Sequence, residues 1–363
     1  MAQEPISGET PEARSVGDFV GSLFPGAVLL IEVEGKQRVV EAYGEALRYA
    51  DAEGTVLPPE GRAAITPDTI FDMASISKLF TTVVIMQLVQ EGKVDLDATV
   101  ASYLPQFAAN GKGEITVRQL LTHTSGLVWW LPLYQHGPDR AARIELALTA
   151  PPDCPPQTRF IYSDLNLITL GALAEDLTGQ RLDELVTTRI TAPLGMRDTG
   201  YNPPPDRHHR VAATEYQQDT GRGMVRGSVH DENAWSLDGI AGHAGIFSTA
   251  ADMAKLCEAF LNDGADLLRP ETNHLMFSEQ NAGFPQDPHG LGFDLDRPRY
   301  MGALSGPRTA GHTGFTGTSL VIDPIRRCFV LLLTNRVHPR REWTDPSPAR
   351  RFAAAQALAL ATE

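Results

Sequence analysis

A serine and a lysine stand three residues apart in the segment Ser75-Ile-Ser-Lys78, at the start of a predicted helix. This spacing puts both side chains on one helix face, where the amine can reach the hydroxyl. A serine is a weak nucleophile, and a lysine can activate it if burial and positive neighbours depress the lysine pKa. The free N–H groups at the helix start would also stabilise an oxyanion. The pair suits acyl transfer, although a plain helix cap beside a solvated lysine fits the same four residues.

A phenol and a carboxylate follow in the segment Tyr162-Ser-Asp164. Beside a cationic lysine, Tyr162 would ionise more easily and could relay the serine proton to a leaving group. A structural interpretation is also open, in which Tyr162 is a core aromatic residue and Asp164 is the N-cap of a helix over 165–177. The capping role of Asp164 is compatible with either interpretation.

A third segment, His312-Thr313-Gly314, precedes a predicted strand. Gly314 would let a substrate lie against the strand edge, and the N–H of Phe315 would be a second oxyanion donor beside that of Ser75. His312 would add a hydrogen-bond donor, and a titrating charge, at the rim of the site. The residues expected to bind substrate are Asp164, His312, Thr313 and Gly314.

The rest of the chain predicts the elements that position these groups. Runs rich in β-branched residues over 26–34 and 38–44 predict an antiparallel hairpin, and runs over 318–322 and 329–334 predict a second one. Short helical patterns and proline-rich punctuation predict a helical region between the hairpins. A final Ala/Leu-rich helix over 348–362 would cover one face of the sheet.

These patterns predict an α+β fold in which an antiparallel sheet is flanked by helices and carries an inserted, mostly helical domain. The predicted sheet domain comprises residues 1–74 together with 226–363, and the predicted helical domain comprises residues 75–225. The site is expected in the groove between them, because active sites favour such seams.

Composition excludes some classes of partner. The 363 residues include 45 acidic and 31 basic side chains, for a formal net charge of −14, whereas a nucleic-acid partner requires a basic surface. A membrane span requires about 18 consecutive apolar residues, and no apolar run in the sequence is that long. The N-terminus lacks the pattern of a signal peptide. We expect a cytoplasmic location for the chain as given, or a periplasmic or secreted one if a signal peptide has been removed. Cys154, Cys257 and Cys328 lack any CxxC spacing, so we expect buried thiols.

Several residues outside the three segments are also candidates for binding or catalysis. The segment over 230–232, His-Asp-Glu, has no further ligand at a metal-binding spacing, so it is interpreted as structural. His123 and His243 are expected to anchor loops through hydrogen bonds. The adjacent Trp129 and Trp130 would either form an apolar wall for the substrate or pack in the ordinary way.

Taken in order, the three segments resemble the three motifs of the serine β-lactamase and penicillin-binding-protein superfamily, in its class C β-lactamase-like branch with esterase-type members. The resemblance extends over about 24–337. Supporting segments lie at Leu120–Leu127, Pro193–Thr199, Val229–Ala234 and Gly242–Thr249. The resemblance implies an antiparallel sheet with a helical second domain and the catalytic serine in the groove between them.

The family roles carry over to the matching positions. The resemblance implies that Ser75 is acylated, that Lys78 is its base partner and that Tyr162 is the second proton shuttle. It implies an oxyanion hole from the main-chain N–H groups of Ser75 and Phe315. It implies no metal and no organic cofactor.

Two departures from the family pattern bear on the substrate. Members that act on β-lactams usually carry Asn at the third position of the second motif and Lys at the first position of the third, where this chain has Asp164 and His312. A largely neutral imidazole binds a carboxylate less well than an ammonium does. Because branch members with His or Trp at that position include esterases, the resemblance favours a carboxylic-ester hydrolase with weak or no β-lactamase activity.

Two alternatives stay open. The first is a D-amino-acid peptidase or cell-wall amidase, because the segment over 229–234 looks like that of penicillin-binding proteins of the carboxypeptidase type; a D-Ala-D-Ala carboxypeptidase or a β-lactamase belongs to the same alternative. A noncatalytic penicillin-binding-like domain is the second, and the joint presence of Ser75, Lys78 and Tyr162 argues against it. The expected partner is a small ester, amide or β-lactam, and no oligomeric state is predicted.

Overall fold

The computed structural model describes residues 13–342 and 344–363. Residues 1–12 lie outside the described residues. They include much of the polar N-terminus for which no signal peptide is predicted, and the first part of the predicted sheet domain. In the described part of the chain, no helix combines the length and the apolar character needed to cross a bilayer.

One large antiparallel sheet organises the fold. The strands within the described residues are β1 (Gly26–Val33), β2 (Lys36–Leu47), β3 (Ala63–Ala64), β4 (Phe71–Asp72), β5 (Gly200–Tyr201), β6 (Tyr216–Gln217), β7 (Gly223–Met224), β8 (Ile246–Ser248), β9 (Asp294–Leu295), β10 (Ala310–Thr313), β11 (Ser319–Asp323) and β12 (Cys328–Thr334). Seven of them form the large sheet in the order β3-β2-β1-β12-β11-β10-β9, which confirms both predicted hairpins. The two ends of the chain meet where β1 pairs with β12, with Leu30 opposite Leu331.

Helices cover both faces of this sheet and fill the middle of the chain. Their bounds are α1 (Ser77–Gln90), α2 (Val100–Tyr103), α3 (Val117–Leu121), α4 (Arg140–Thr149), α5 (Asp164–Thr178), α6 (Leu182–Val186), α7 (Glu232–Ser236), α8 (Ala250–Leu261), α9 (Pro270–Met276), α10 (Pro298–Met301) and α11 (Ser347–Ala361). Only short strands interrupt the helices between α1 and β8. The predicted α+β class is confirmed.

Alternation along β1 shows how the sheet is buried on both faces. Val28 and Leu30 belong to one hydrophobic core, whereas Leu29 and Ile31 belong to another that includes Ala353 of α11. Successive side chains of a strand point to opposite faces, so a strand buried on both faces reads as a continuous apolar run. The predicted cover of one face by the last helix is confirmed.

Helix α1 lies at the centre of the fold and begins beside the site. It is apolar around most of its circumference, as expected of a buried helix, and its residues from Ser77 to Leu88 are buried. It ends where Gly92 takes a positive φ of 73°. Residues of β1, α1 and α5 share one continuous core, and the predicted domain boundaries at 75 and 225 stay a prediction.

Candidate active site

Ser75 lies in a 3-10 turn that leads directly into α1, which agrees with the predicted position at the helix start. The preceding Ala74 has a φ of +46°, which is a strained value for a residue with a side chain. Its N–H donates to Oδ1 of the buried Asp72 at 2.8 Å, and the N–H of Met73 donates to the carbonyl of Ile246 in β8 at 2.9 Å. These bonds fix the turn and therefore the position of Ser75.

Lys78 is buried and directly linked to Ser75. Its Nζ donates to Ser75 Oγ at 2.9 Å and to the carbonyl of His243 at 3.3 Å, and it lies 2.8 Å from Asp164 Oδ1. Burial lowers the pKa of Lys78, but the Asp164 carboxylate and Tyr162 outweigh burial and raise that pKa above its usual value. The expected depressed pKa is therefore wrong for the resting site, in which Lys78 is an ammonium. The alternative of a solvated lysine is also wrong, because only 1 % of the side chain is exposed.

Tyr162 lies beside Lys78 and lines the same cavity as Ser75. Its ring centre is 4.8 Å from Lys78 Nζ. Burial raises the pKa of Tyr162 although Lys78 lowers it, so the phenol is neutral at ordinary pH. Since 37 % of the residue is exposed, Tyr162 lines the site and is not a core aromatic residue.

His123 holds the segment that carries Tyr162. Its carbonyl accepts from the N–H of Ile161 at 2.9 Å, and its Nδ1 accepts from the N–H of Ser163 at 3.1 Å. The ring centres of His123 and Tyr162 are 4.6 Å apart. The predicted role of His123 as a loop anchor is confirmed.

Asp164 is the first residue of α5, and Ser163 occupies the N-cap position. The predicted N-cap role of Asp164 is therefore wrong. A buried ammonium requires a counter-charge, and the Asp164 carboxylate supplies it to Lys78. Asp164 also lines a cavity beside Ser75, so its predicted contact with substrate is geometrically possible.

The end of β10 forms the opposite edge of the site. Thr313 and Gly314 line a cavity together with Ser75. A Cβ at Gly314 would lie 2.6 Å from the Met73 carbonyl oxygen and 2.1 Å from Thr318 Oγ1. Glycine is thus required for close packing against the turn before Ser75, which is a reason in addition to the predicted approach of substrate.

The predicted oxyanion donors, the main-chain N–H groups of Ser75 and Phe315, belong to residues that lie close together, and their role stays a prediction. Ser75 and Phe315 line the same two cavities. Within the described residues, neither of their N–H groups donates a hydrogen bond to the protein. Both donors are available for an oxyanion.

His312 is not where the sequence placed it. It is only 2 % exposed and lines neither cavity at Ser75, so the predicted position at the rim is wrong. Burial lowers its pKa to about 4, with Asp294 opposing and Lys78 adding to the effect. Its Nδ1 lies 2.9 Å from the carbonyl of Thr313. The imidazole is neutral at neutral pH, and its ring centre lies 6.1 Å from that of Tyr162.

Two cavities adjoin Ser75, and Tyr162 and Phe315 also line both of them. One, the arginine cavity, has a volume of about 360 Å³ and is lined by Arg299, Arg336 and Arg350, with Asp345 as its one carboxylate. The other, the tryptophan cavity, has a volume of about 380 Å³. It is lined in part by Trp129, Trp130, Asp164, Asp231, Glu232 and His243. The interpretation of Trp129 and Trp130 as a wall of the site is therefore favoured over ordinary packing.

Sequence spacing gave no signal for one cluster in the tryptophan cavity. Asp164, Asp231 and His243 each place a ligating atom within 4.8 Å of the others. Two carboxylates and an imidazole suit a metal such as zinc, although Lys78 already provides a positive charge 2.8 Å from Asp164. The structural role predicted for the segment over 230–232 is also present, because Asp231 Oδ1 caps α7 by accepting from the N–H of Ala234 at 2.7 Å.

The cysteines contribute no group to this site. Cys257 and Cys328 are buried thiols, as predicted. Cys154 is only partly buried, so the prediction is wrong for that residue. All three are free.

Comparison with known proteins places this geometry in a family. The family model for beta-lactamase matches residues 15–355. An N-acetylmuramyl-L-alanine amidase of Bacillus subtilis (strain 168) is 34% identical over 352 residues, which cover 87% of this chain and 78% of that protein. A protein of Escherichia coli (strain K12), described provisionally as a D-alanyl-D-alanine carboxypeptidase, is 33% identical over 363 residues, which cover 90% and 81%. Among solved structures, EstCE1, a hydrolase with promiscuous acyltransferase activity, shares the fold with a TM-score of 0.73 at 23% identity, covering 93% and 96%.

Proposed function

This chain belongs to the beta-lactamase family and is a serine hydrolase of the β-lactamase and penicillin-binding-protein superfamily, and from that premise we propose its reaction and substrate class. It hydrolyses an amide whose amine half is an amino acid with a free carboxylate, through an acyl-enzyme on Ser75. The observation that carries this proposal is that Ser75 lines the arginine cavity together with three arginine side chains.

The proton path follows from the ionisation of the resting site. Lys78 is an ammonium and Tyr162 a neutral phenol, so Lys78 must lose a proton before it can accept one from Ser75. Neutral Lys78 then takes the Ser75 proton while Oγ attacks the carbonyl carbon. The N–H groups of Ser75 and Phe315 stabilise the oxyanion.

Collapse of the tetrahedral intermediate breaks the bond to the amine. Tyr162 donates its proton to the leaving nitrogen and regains one from Lys78, whose Nζ lies 4.8 Å from the centre of the Tyr162 ring. Water then attacks the acyl ester on Ser75, with the same groups acting in reverse, and releases the carboxylic acid. Activity is therefore expected to rise with pH as Lys78 becomes neutral.

The arginine cavity supplies the positive charge that the sequence pattern lacks at His312. Three guanidinium groups against the single carboxylate of Asp345 favour a substrate carboxylate next to Ser75. Arg336 and Arg350 are engaged with main-chain carbonyls, for example Arg336 with that of Phe315 at 2.8 Å. Arg299 is the most accessible of the three, since 79% of its side chain is exposed. The names of the two relatives in Bacillus subtilis and Escherichia coli likewise describe amides whose amine half is alanine.

Hydrolysis of uncharged carboxylic esters, the activity favoured by the sequence, is the second candidate. The neutral state of His312 and the aromatic wall of the tryptophan cavity support it. The fold of EstCE1 is compatible with it. An ester requires no carboxylate contact, so this candidate predicts no effect of charge in the arginine cavity.

Matched substrates separate the two candidates. We would measure kcat/KM for N-acetylmuramyl-L-alanine, for a peptide ending in D-Ala-D-Ala, for the C-terminal amide of that peptide, and for p-nitrophenyl acetate. The variant Arg299→Gln removes a cavity charge, and Arg308→Gln is its control, because Arg308 is exposed and lines a different cavity.

The proposal predicts cleavage of at least one alanine amide, preference for the free carboxylate over its amide, and a drop of about threefold in that preference in Arg299→Gln only, as an exposed charge pair implies. Turnover of the ester alone, with no response to Arg299→Gln, would establish the second candidate in place of the first.

A further inference from the structure

The turn between β10 and β11 carries one of the two oxyanion donors at an exposed position. β10 ends at Thr313 and β11 begins at Ser319, and Phe315 lies between them with 49% of the residue exposed. Surface turns move more than the strands they connect, whereas an oxyanion donor is effective only when it is already in place. The main chain at Phe315 therefore requires other groups to hold it.

The peptide unit that contains the N–H of Phe315 is held from within the turn. The carbonyl of this unit belongs to Gly314 and accepts from the N–H of Gly317 at 3.0 Å, and the N–H of Gly314 donates to the carbonyl of Thr318 at 2.8 Å. In a trans peptide the carbonyl and the N–H point in opposite directions, so the bond to the Gly314 carbonyl limits the direction of the Phe315 N–H. The next peptide unit, which carries the Phe315 carbonyl, is held from outside the turn.

Arg336 holds this next peptide unit. Its Nε donates to the Phe315 carbonyl at 3.1 Å and its Nη2 donates to the same oxygen at 2.8 Å. The guanidinium carbon also lies 5.0 Å from the centre of the Phe315 ring. The His230 ring stacks on the Phe315 ring, with centres 5.6 Å and planes 27° apart. Phe315 is therefore fixed both at its carbonyl and at its ring.

The guanidinium group of Arg336 is itself fixed. Its Nη1 donates to the carbonyl of Arg341 at 3.0 Å and to that of Thr344 at 2.8 Å. Together with the two bonds to Phe315, these contacts occupy four of the five N–H groups of a guanidinium. Arg336 follows closely on β12, which ends at Thr334 and lies inside the large sheet. The side chain thus links the sheet to the turn and has little capacity left to bind a substrate.

We propose that Arg336 is a positioning residue that keeps the N–H of Phe315 directed at the oxyanion, through its bonds to the carbonyl of the same residue. This inference rests on the proposed function, because it requires acyl transfer at Ser75 with this N–H as a donor. Lysine cannot replace the planar fork, since an ammonium is a single donor centre on a flexible stem.

The test measures acylation of the full chain by p-nitrophenyl acetate in stopped flow. This ester has no carboxylate, so the charge of the arginine cavity does not enter the comparison. Arg336→Lys keeps the charge and Arg336→Gln removes it, and both lose the fork. Arg226→Lys is the matched control, because Arg226 also donates through Nε and Nη2 to main-chain carbonyls, those of Val211 and His209, but lines neither cavity at Ser75.

We expect the acylation rate constant to fall by at least about tenfold in both Arg336 variants. Complete loss of an oxyanion donor costs about 10²–10³-fold, and a displaced donor costs less. The dissociation constant of the ester should change by less than about twofold, because the donor acts on the transition state and not on the bound ester. The burst amplitude, which counts folded active sites, should stay at the wild-type value, and Arg226→Lys should acylate like wild type.

Three results would overturn the inference and leave the proposed function intact. One is a rate constant within about twofold of wild type in either Arg336 variant that folds. Another is a reduced burst amplitude with an unchanged rate constant, which would mean that Arg336 only stabilises the fold. The third is an equal loss of rate in Arg226→Lys.

Failure of the proposed function gives different results. If the wild-type chain formed no acyl-enzyme on Ser75, both the proposed function and the inference would be contradicted. If the ester acylated Ser75 in the manner expected for Arg336 but no alanine amide were cleaved, the inference would stand and the proposed substrate class would be wrong.

Discussion

Replacing Asp164 by asparagine is expected to move the pH dependence of acylation to lower pH. In the resting site the Asp164 carboxylate, 2.8 Å from Lys78 Nζ, keeps the buried ammonium charged. Asparagine can still accept a hydrogen bond from Lys78 but carries no charge. Burial then lowers the pKa of Lys78 without this opposition, so more Lys78 is neutral at a given pH.

The size of the effect follows from the distance. Two unit charges 2.8 Å apart attract by about 6 kcal/mol at an effective dielectric constant of about 20. Solvent reduces this value, because 17% of the Asp164 side chain is exposed. A third of it, about 2 kcal/mol, still exceeds the 1.36 kcal/mol that corresponds to one pH unit. The acid limb of the pH profile should therefore shift down by at least about one pH unit.

Stopped-flow acylation by p-nitrophenyl acetate, followed from pH 5 to pH 10, measures this limb directly. The wild-type rate constant should rise throughout that range, because the pKa of Lys78 is raised, and the rise in Asp164→Asn should be displaced to lower pH. Lys78→Met provides the control, since it removes the titrating amine. An acid limb at the same pH in Asp164→Asn, or a loss of acylation at every pH, would refute the reasoning, and the second result would mean that Asp164 itself takes the proton.

Two other predictions test the frame around the site. Burial, and then Glu258, raise the pKa of Glu32 to about 7. The stability that the neutral carboxyl contributes is therefore fully present below about pH 4.5, the pKa in the unfolded chain, and is lost as the pH rises through about 7. The melting temperature of Glu32→Gln relative to wild type should therefore increase from pH 5 to pH 8, and parallel curves would contradict this. Gly314→Ala should reduce acylation and lower the free energy of unfolding by about 1–3 kcal/mol, because the new Cβ overlaps Met73 and Thr318. Urea denaturation and the acylation assay measure both effects, and a fully stable, active variant would show that the β10 edge can move.

Local sequence patterns predicted the parts of the site that depend on local geometry. The three-residue spacing of Ser75 and Lys78 determines their contact on one helix turn. The hairpins β1–β2 and β11–β12 followed from alternating apolar runs and short turns. The position of Tyr162 beside the serine was predicted through the resemblance of the three ordered segments to a known superfamily, because the residues alone left a core aromatic role open.

Properties set by distant contacts could not be read from these patterns. The ionisation of Lys78 depends on Asp164, which α5 brings to it from 86 positions further along the chain, the difference between 164 and 78. His312 is buried, and its strand β10 lies between β11 and β9 in the sheet. The segment His312-Thr313-Gly314 alone gives no information on which other parts of the chain pack against it. The pairing of Asp231 with His243 joins two loops at a spacing that matches no metal or catalytic motif.

The most direct test of the central claim is the intact mass of the protein during turnover. Wild-type protein quenched in acid within milliseconds of mixing with p-nitrophenyl acetate should carry one added acetyl group, and peptide mapping should locate it on Ser75. The Ser75→Ala variant should show neither the adduct nor turnover. Undiminished turnover in Ser75→Ala, or an adduct on another residue of the wild-type protein, would contradict the account.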